Sequence, residues 1–404
     1  MERSHISLSI PGDVCAPRGF RAAGIHCGVK KAGKPDLALL YSEEEGTTAA
    51  ATFTTNQVRA APVRYCEEAI ADGHARAIVV NSGNANACTG DQGMANAREM
   101  AILTADALAV EPAQVLVAST GIIGEQLPME FLRDGISRVA MNLEASGASA
   151  SEAILTTDSF TKTISATVEA GGTEVTIGGM AKGAGMIHPR MATMLGFLTT
   201  DARIPPKVLR RALKEAVDVS FNRITVDGDT STNDAVFLLA NGAAAAPAIE
   251  GGVELEAFAA ALAAVAKELA RMIPLDGEGA HKLIEVRVDG ARTVEEGARC
   301  AERVANSLLV KTAIRGGDSN WGRIMAAVGS AGVPVREERI AMWVGDVQLV
   351  RNGIGVPGSI GPGRAVLSEE TVLLRIDLGL GEESASVWTC DLGEEYIQIN
   401  TQYN

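Results

Sequence analysis

The sequence predicts a mixed fold, of the α/β or α+β class, in which helices cover β-sheets. Short runs rich in Val, Ile, Leu and Ala recur along the chain and have the length and composition of strands. Helical patterns alternate with these runs, and such a mixture is typical of sheets with helices packed on them. The strand-like runs are residues 37–41, 49–54, 77–80, 115–118, 163–168, 173–177, 194–199, 283–288 and 372–377.

Three stretches have the periodicity of helices. The first runs from Asp91 to Leu108. The second opens at Pro205 and Pro206, because proline is favoured in the first turn of a helix, and apolar residues follow it at helical spacing. The third, residues 253–273, is apolar but carries several charged side chains, which predicts an amphipathic helix and not a membrane span.

The composition indicates a large protein with an ample core and an acidic surface. At about 150 residues per domain, a chain of 404 residues suggests two or three packing units. Apolar residues make up 47% of the chain and aromatic residues only 4%, so Ala, Val, Ile, Leu and Met must build most of the core. The formal net charge of −14 repels phosphate backbones, so we expect no nucleic-acid partner.

Cysteine usage and the N-terminal residues favour the cytoplasm. The six cysteines form no C-x-x-C pair, and a chain of this size does not need disulfides, so buried thiols in a reducing compartment are expected. The first residues lack a basic segment followed by an apolar stretch, so we expect no secretory signal and no membrane partner. The sequence therefore predicts a cytoplasmic protein.

The sequence contains no pattern that requires a metal or a cofactor. The five histidines are not paired at metal-ligand spacing, and His188 is interpreted as a structural or surface residue. Asp227, Asp229 and Asp234 allow a metal cluster, but their Thr and Ser neighbours favour turn and strand-end hydrogen bonds. The G-x-G-x-x-G that begins at Gly353 is interpreted as a turn-rich loop, because no helix is predicted after it to receive a pyrophosphate. We expect no metal and no cofactor.

Gly, Thr and Asn are concentrated in segments at strand ends, where binding and catalytic sites are usually built. One segment, residues 182–197 (KGAGMIHPRMATMLGF), closely resembles the self-cleavage region of the ornithine acetyltransferase family, which includes the bifunctional glutamate N-acetyltransferases of arginine biosynthesis. Other segments resemble the same family and occur in the family's order from near residue 20 to the C-terminus. They are residues 81–90 (NSGNANACTG), 119–124 (STGIIG), 156–158 (TTD), 227–234 (DGDTSTND), 276–279 (DGEG) and 320–323 (NWGR).

The resemblance implies a role for each residue that matches a functional position of the family. Cleavage between Ala192 and Thr193 makes Thr193 the new N-terminus and the nucleophile. Thr120 and Gly121 match the oxyanion-hole pair. The residues that match the substrate's amino-acid binding positions are Thr156, Lys182, Thr193, Glu278 and Asn400.

The resemblance also implies the architecture and the assembly. The expected fold is a layered α-β-β-α sandwich of two stacked sheets flanked by helices, with a smaller α/β C-terminal unit from about residue 285 to residue 404. Self-cleavage gives an alpha chain, residues 1–192, and a beta chain, residues 193–404, which share one core. Two alpha and two beta chains are expected to form a heterotetramer.

One departure from the family's pattern lies at the C-terminus. The family usually ends a few residues after the asparagine that matches Asn400, with a Ser or Thr that also contacts substrate. This sequence ends in NTQYN from Asn400 onward and lacks that residue. Either the chain has been shortened, or Thr401 or the terminal carboxylate takes over the contact.

A threonine at a new N-terminus suits acyl transfer for a physical reason. A threonine hydroxyl is a weak nucleophile and needs a base beside it. An α-amine has a pKa of about 7.7–8.0 in reference peptides, so the amine freed at Thr193 can accept the hydroxyl proton near neutral pH. The predicted reaction is a ping-pong transfer of the acetyl group from N2-acetyl-L-ornithine to L-glutamate through an acetyl-threonine ester. The sequence leaves open whether acetyl-CoA is also a donor.

Several readings compete with this one. A self-cleaving aminopeptidase or amidase of related fold would use the same hydroxyl nucleophile and pass the acyl group to water. A non-catalytic amino-acid-binding protein that kept the fold would leave the Ala192–Thr193 bond intact. At single positions, Lys182 could neutralise a buried acid instead of binding substrate, and the segment 320–323 could cap a helix instead of contacting substrate.

Overall fold

A computed structural model describes residues 6–9, 12–31, 33–188 and 194–402. The predicted scissile pair, Ala192 and Thr193, lies outside the described residues. The strands are β1 (Ser7–Ser9), β2 (Phe20–Ile25), β3 (Leu37–Ser42), β4 (Thr48–Phe53), β5 (Ala77–Asn84), β6 (Val115–Ile122), β7 (Lys162–Ala170), β8 (Thr173–Lys182), β9 (Leu195–Thr200), β10 (Ala235–Ala240), β11 (Leu283–Ala291), β12 (Ala341–Val344), β13 (Val347–Arg351), β14 (Ile354–Gly355), β15 (Thr371–Asp377) and β16 (Glu383–Cys390). The helices are α1 (Ala61–Ala69), α2 (Gly90–Leu108), α3 (Met129–Met141), α4 (Ala148–Ala153), α5 (Pro206–Asp218), α6 (Gly252–Leu275), α7 (Val294–Ala305), α8 (Leu308–Arg315), α9 (Trp321–Gly329), α10 (Ile360–Val366) and α11 (Glu394–Gln402).

The chain divides into two compact units, and the first contains the described residues of Met1–Gly183, Arg190–Asn222 and Thr230–Ala270. It holds a six-stranded sheet of order β1-β7-β8-β9-β10-β4 and a four-stranded sheet of order β2-β3-β5-β6. Most neighbouring strands in these sheets are antiparallel. The exceptions are β9 with β10 and β5 with β6, which are parallel.

The two sheets of the first unit share a core in which apolar side chains from both sheets meet. Phe197 and Phe237 of the six-stranded sheet stack with their ring centroids 5.7 Å apart. They belong to the same buried cluster as Leu40 and Ile78 of the four-stranded sheet. Side chains alternate between the faces of a strand, so each sheet presents a second apolar face on its other side.

Helices cover those second faces. Val79 and Val117 of the four-stranded sheet pack in one cluster with Met100 of α2 and Leu132 of α3. In the six-stranded sheet, Gly179 of β8 allows α6 to approach, because a Cβ at Gly179 would lie 2.7 Å from Leu269 Cδ1. The order of layers is therefore helix, sheet, sheet, helix, which confirms the predicted fold class.

The second unit contains the described residues of Ala184–Pro189, Arg223–Asp229 and Arg271–Asn404. Its sheet has the order β14-β13-β12-β15-β11-β16. Val286 of β11 and Leu374 of β15 pack against Cys300 and Val304 of α7 in one buried cluster. A smaller α/β unit was expected from about residue 285; its first strand begins at Leu283, and the compact unit reaches back to Arg271 and takes in two earlier segments.

Several elements were not predicted from the sequence, and two local features among the differences bear on the motifs and the core. Strand β10 was not predicted, although its six residues are all apolar and buried, as are residues 77–80 of the predicted strand β5. The prediction that no helix follows the G-x-G-x-x-G motif was wrong, because α10 begins at Ile360. The first glycine of the motif, Gly353, instead forms the β13–β14 hairpin turn with Asn352, at φ angles of 76° and 51°, as an Asn-Gly type I′ turn requires.

Hydropathy along the helices bears on membrane insertion. Within the described ranges, no helix combines the length and the apolar character that a transmembrane span needs.

Candidate active site

The end of strand β6 carries the predicted oxyanion-hole pair, Thr120 and Gly121. Thr120 is buried, and Gly121 has a φ of +135°, in the region that favours glycine. A Cβ at Gly121 would lie 2.2 Å from the backbone carbon of Gly83 and 2.4 Å from the nitrogen of Asn84 on the neighbouring strand β5. Only glycine fits here, because the two backbones approach each other this closely.

Side-chain amides and hydroxyls of the motif residues fix the ends of β5 and β6. The Ser119 hydroxyl donates to Asn81 Oδ1 at 2.6 Å, and Asn81 Nδ2 donates to the Asn84 carbonyl at 2.8 Å. Asn233 Nδ2 donates to the carbonyls of Ser119, at 2.9 Å, and Ala85, at 2.6 Å. Buried polar groups paired in this way hold the strand end that carries Thr120 in one conformation.

Lys182, at the end of β8, brings together three of the predicted site residues. Its side chain is buried, and its Nζ donates to Thr156 Oγ1 at 2.6 Å and to Thr120 Oγ1 at 3.3 Å. The predicted substrate-binding lysine and the predicted oxyanion-hole hydroxyl are therefore direct neighbours.

Asp158 lies beside this lysine and was not singled out as a site residue from the sequence. Its carboxylate is fully buried, 2.8 Å from Lys162 Nζ and 3.7 Å from Lys182 Nζ. It also accepts the backbone N–H groups of Gly183, at 2.6 Å, and Thr156, at 3.0 Å. Burial alone raises the pKa of Asp158, but the charges of Lys182 and Lys162 outweigh burial and hold the pKa well below the ordinary value.

Lys162 was also not singled out as a site residue from the sequence. The segment TTD at residues 156–158 contained the aspartate, but nothing in the sequence pairs it with a lysine four residues later that is completely buried. The competing interpretation of Lys182, as a partner of a buried acid, is also observed, since Lys182 contacts both the acid and the hydroxyls.

A third lysine, Lys30, lies close to the oxyanion-hole turn. Its Nζ donates to the carbonyls of Pro35, at 2.7 Å, and Leu155, at 2.6 Å. Its stem passes the turn, because a Cβ on Gly83 would lie 3.0 Å from Lys30 Cγ. Burial, with a smaller contribution from the charge of Lys182, lowers the pKa of Lys30 to about 8.

Asp234 lies at the start of β10, beside the residue that follows the predicted nucleophile. Its Oδ1 accepts the backbone N–H of Met194 at 2.8 Å. Its Oδ2 is buried and has no hydrogen-bond partner within the described part of the chain. Burial raises the pKa of this carboxyl group well above its ordinary value. The predicted nucleophile Thr193 itself is not among the described residues.

The other two predicted substrate-binding residues form a cluster in the second unit. Asn400 Nδ2 of α11 donates to Glu278 Oε2 at 2.7 Å, and the Glu278 N–H donates to the Ala184 carbonyl at 2.9 Å. A Cβ on Gly185 would lie 2.5 Å from the Glu278 carboxylate, so the carboxylate as placed lies directly over this glycine. Glu278 and Asn400 are therefore direct neighbours.

Asp227 holds the same segment through backbone hydrogen bonds. Its carboxylate accepts the N–H groups of Met186, at 2.6 Å, and Ile187, at 2.9 Å, and the hydroxyl of Tyr396 at 3.1 Å. Asp227 also accepts the N–H of Asp229 at 3.1 Å. These bonds match the predicted turn role of the acidic residues. Over the described ranges, no group of three or more His, Cys, Asp or Glu side chains is placed to hold a metal ion.

Three further predicted positions have identifiable local roles. Asn320 caps α9 by accepting the Arg323 N–H at 3.3 Å, as the capping interpretation requires. His188 is partly buried, with its Nε2 3.5 Å from Glu302 Oε1. The Thr401 hydroxyl donates to the Ile397 carbonyl at 3.0 Å within α11.

A two-sheet sandwich flanked by helices, with a buried ammonium group and hydroxyls gathered at strand ends, defines a class of α-β-β-α enzymes with a polar, buried site. The ArgJ family model matches residues 21–404, so the chain belongs to the ArgJ family. This match confirms the family recognised from the sequence motifs, and with it the prediction of an acetyltransferase of arginine biosynthesis.

Similar proteins match along almost their entire length. The arginine biosynthesis bifunctional protein ArgJ of Symbiobacterium thermophilum is 51% identical over 398 residues, which cover 98% of this chain and 99% of that protein. The protein of the same name from a Synechococcus species is 48% identical over 407 residues, 98% of each chain.

Two of the solved structures that resemble the chain each match about half of it. The arginine biosynthesis bifunctional protein of Bacillus halodurans is 40% identical, with a TM-score of 0.45, and the match covers 47% of this chain and 100% of the other. An ornithine acetyltransferase from Mycobacterium tuberculosis, solved with ornithine, is 41% identical, with a TM-score of 0.44, and covers 46% and 98%.

Proposed function

We propose that this protein cleaves itself before Thr193 and then transfers the acetyl group of N2-acetyl-L-ornithine to L-glutamate in a ping-pong reaction. The observation that carries the proposal is the buried cluster in which Lys182 donates to the hydroxyls of both Thr156 and Thr120. Membership of the ArgJ family, whose relatives are named arginine biosynthesis bifunctional proteins, supports it.

Self-cleavage requires only the chain and one water molecule. The Thr193 hydroxyl oxygen attacks the carbonyl carbon of Ala192, the C–N bond breaks, and the hydroxyl proton ends on the released nitrogen. Water then hydrolyses the resulting ester to the Ala192 carboxylate and restores the hydroxyl. The two products, residues 1–192 and 193–404, stay associated in this proposal as an alpha and a beta chain, two of each forming a heterotetramer in the cytoplasm.

In the first half-reaction the Thr193 hydroxyl attacks the acetyl carbonyl of acetylornithine, and the α-amine of Thr193 accepts the hydroxyl proton. The Thr120 hydroxyl and the Gly121 N–H stabilise the oxyanion; removing one such donor typically costs about 2.7–4 kcal/mol. The amide C–N bond then breaks, ornithine leaves with the proton on its nitrogen, and the acetyl group remains on Thr193 as an ester.

In the second half-reaction glutamate takes the place of ornithine. Its α-amine attacks the ester carbonyl, the same donors stabilise the second oxyanion, and the threonine hydroxyl is restored. One acetyl amide is exchanged for another, so the cycle needs no activated donor. We include acetyl-CoA as a second acetyl donor in the proposal, because the relatives are named bifunctional proteins.

Charge supports a mode of substrate recognition. Each carries an α-carboxylate, which suits the ammonium of Lys182 with the hydroxyl of Thr156 beside it. Ornithine also carries a side-chain ammonium, for which the Glu278 carboxylate, oriented by Asn400, is the proposed acceptor.

Two measurements test the proposal. Mass spectrometry of the purified protein is expected to find two polypeptides divided at Ala192–Thr193, and ornithine release from acetylornithine is expected to rise when glutamate is added. Equal release with and without glutamate would indicate a hydrolase, and an intact active chain would exclude the N-terminal nucleophile. Acetylglutamate formation from acetyl-CoA and glutamate decides whether acetyl-CoA is a donor.

A further inference from the structure

The hydrogen-bond directions at Lys182 constrain the hydroxyl of Thr120. An ammonium group can only donate, so the Thr120 oxygen accepts in its bond from Lys182 Nζ. The Thr120 hydrogen must then point to another acceptor. A hydroxyl that accepts from a cation is also a better donor, because the positive charge withdraws electron density from its O–H bond.

The register of the β7–β8 hairpin places a second lysine beside this pair. Lys162 is paired with Ala181, the residue before Lys182, so the backbones of the two lysines are neighbours although twenty residues separate them in sequence. Both ammonium groups approach the carboxylate of Asp158, but at different distances: Lys162 Nζ at 2.8 Å and Lys182 Nζ at 3.7 Å. Lys162 therefore takes the close ion-pair position, while hydrogens of Lys182 point to hydroxyl oxygens.

We propose that Lys162 and Asp158 are positioning residues for the oxyanion hole: their ion pair keeps the ammonium of Lys182 on the hydroxyl of Thr120, whose hydrogen then stabilises the oxyanion. This inference rests on the proposed function for the role of Thr120, and it extends that function to two residues outside the predicted site. Lys182 acts in it both as a carboxylate partner and through Thr120.

Burial gives the reason why the ion pair matters. Lys162 and Asp158 have no exposed side-chain surface, and in such surroundings an unpaired carboxylate draws the nearest cation towards it. Without Lys162, the nearest remaining ammonium is that of Lys182, which would have to leave the Thr120 hydroxyl to come within hydrogen-bonding distance of Asp158.

The test is a double-mutant cycle between Lys162→Met and Thr120→Ala, with the rate of ornithine release from acetylornithine as the readout. Ornithine release is common to transfer and hydrolysis, so the cycle reports on the oxyanion hole whether or not glutamate is the acceptor. Thr120→Ala alone is expected to lower kcat by about 10²–10³-fold. Lys162→Met is expected to lower kcat about tenfold when Thr120 is present and less than about threefold in the Thr120→Ala background.

Lys311→Met is the matched control, because Lys311 is also a buried lysine bonded to a hydroxyl, that of Thr389 at 2.9 Å, but belongs to the second unit. Its effect is expected to be the same with and without Thr120. Circular dichroism and mass spectrometry check that each variant is folded and cleaved.

A second variant keeps the inference falsifiable if Lys162→Met folds poorly. The pair Asp158→Asn with Lys162→Met removes both charges, so no carboxylate remains to draw Lys182 away. It is expected to recover most of the kcat that Lys162→Met loses. Effects of Lys162→Met and Thr120→Ala that simply multiply, or a charge-free pair no more active than Lys162→Met alone, would overturn the inference. Failure of the proposed function would be observed differently, because the parent protein would then show no glutamate-dependent transfer.

Discussion

Replacing Asp158 by asparagine removes a single buried charge and keeps the shape of the side chain. In the parent protein this carboxylate is fully buried, 2.8 Å from a lysine that is equally buried. The variant leaves Lys162 without its close counter-ion in a low-dielectric environment. Breaking one partner of such a buried pair costs about 3–5 kcal/mol, so we expect the free energy of unfolding at neutral pH to fall by that amount.

The pH dependence of the loss has a defined sign. The lysine charges hold the pKa of Asp158 below its ordinary value of 3.8 in the folded protein, even though burial acts in the opposite direction. A carboxylate with a depressed pKa contributes its full stability above the ordinary value and loses it as the pH falls towards the folded-state pKa. The difference in stability between parent and variant is therefore expected to be largest near neutral pH and to shrink on acidification below 3.8.

Denaturant titration followed by circular dichroism, repeated across this pH range, measures the effect. Asp218→Asn is the matched control, because Asp218 also pairs with a lysine four residues away, Lys214 at 2.5 Å, but both side chains are well exposed. We expect that control to cost about 0–1 kcal/mol. A loss below about 1 kcal/mol for Asp158→Asn, or a loss that grows on acidification, would refute the reasoning about the buried pair.

Three further changes have expected outcomes. Gly121→Ala should abolish ornithine release and reduce the yield of folded protein, because its Cβ would lie 2.2 Å from the backbone of Gly83; normal kcat in this variant would contradict the geometry. Asn400→Ala should raise the KM for acetylornithine about tenfold with little change in kcat, since it removes the 2.7 Å hydrogen bond that orients Glu278. The control Thr401→Val removes a hydroxyl that bonds only within α11 among the contacts described, and it should change KM less than threefold. Asp234→Asn should gain stability relative to the parent as the pH rises above 3.8. Burial raises the pKa of Asp234 in the folded parent, so above 3.8 the carboxyl group ionises in the unfolded chain before it ionises in the folded one, and the parent loses stability. Parallel stability curves for the two proteins would disprove this.

Local sequence patterns were sufficient to predict nine of the described strands and three of the described helices. The runs at residues 37–41 and 77–80 lie within β3 and β5, and the prolines before residue 207 mark the start of α5, because strand composition and helix-start signals act over a few neighbouring residues. Strand β10 was not predicted, although its six residues are all apolar and buried, like residues 77–80 of the predicted strand β5. Which apolar run becomes a strand of the sheet is decided by tertiary packing and not by the segment alone.

The candidate site divides in the same way. Three site residues could be found from the sequence, because each lies in a segment whose residues resemble those of one family: Thr120, Gly121 and Lys182. Thr193 stays a prediction of that resemblance. Nothing in the sequence places Lys162 beside Lys182. Their proximity depends on the pairing of β7 with β8 and on both side chains reaching the carboxylate of Asp158.

By itself the sequence determined the family, the class of fold and the segments that carry the chemistry, since these follow from residue type and short spacing. Only the tertiary structure decided which charges face one another. Lys162 competes with Lys182 for Asp158 because strand pairing brings them together and burial removes the water that would screen them. Electrostatic interactions of that strength arise from three-dimensional proximity in a low-dielectric interior, which no linear pattern encodes.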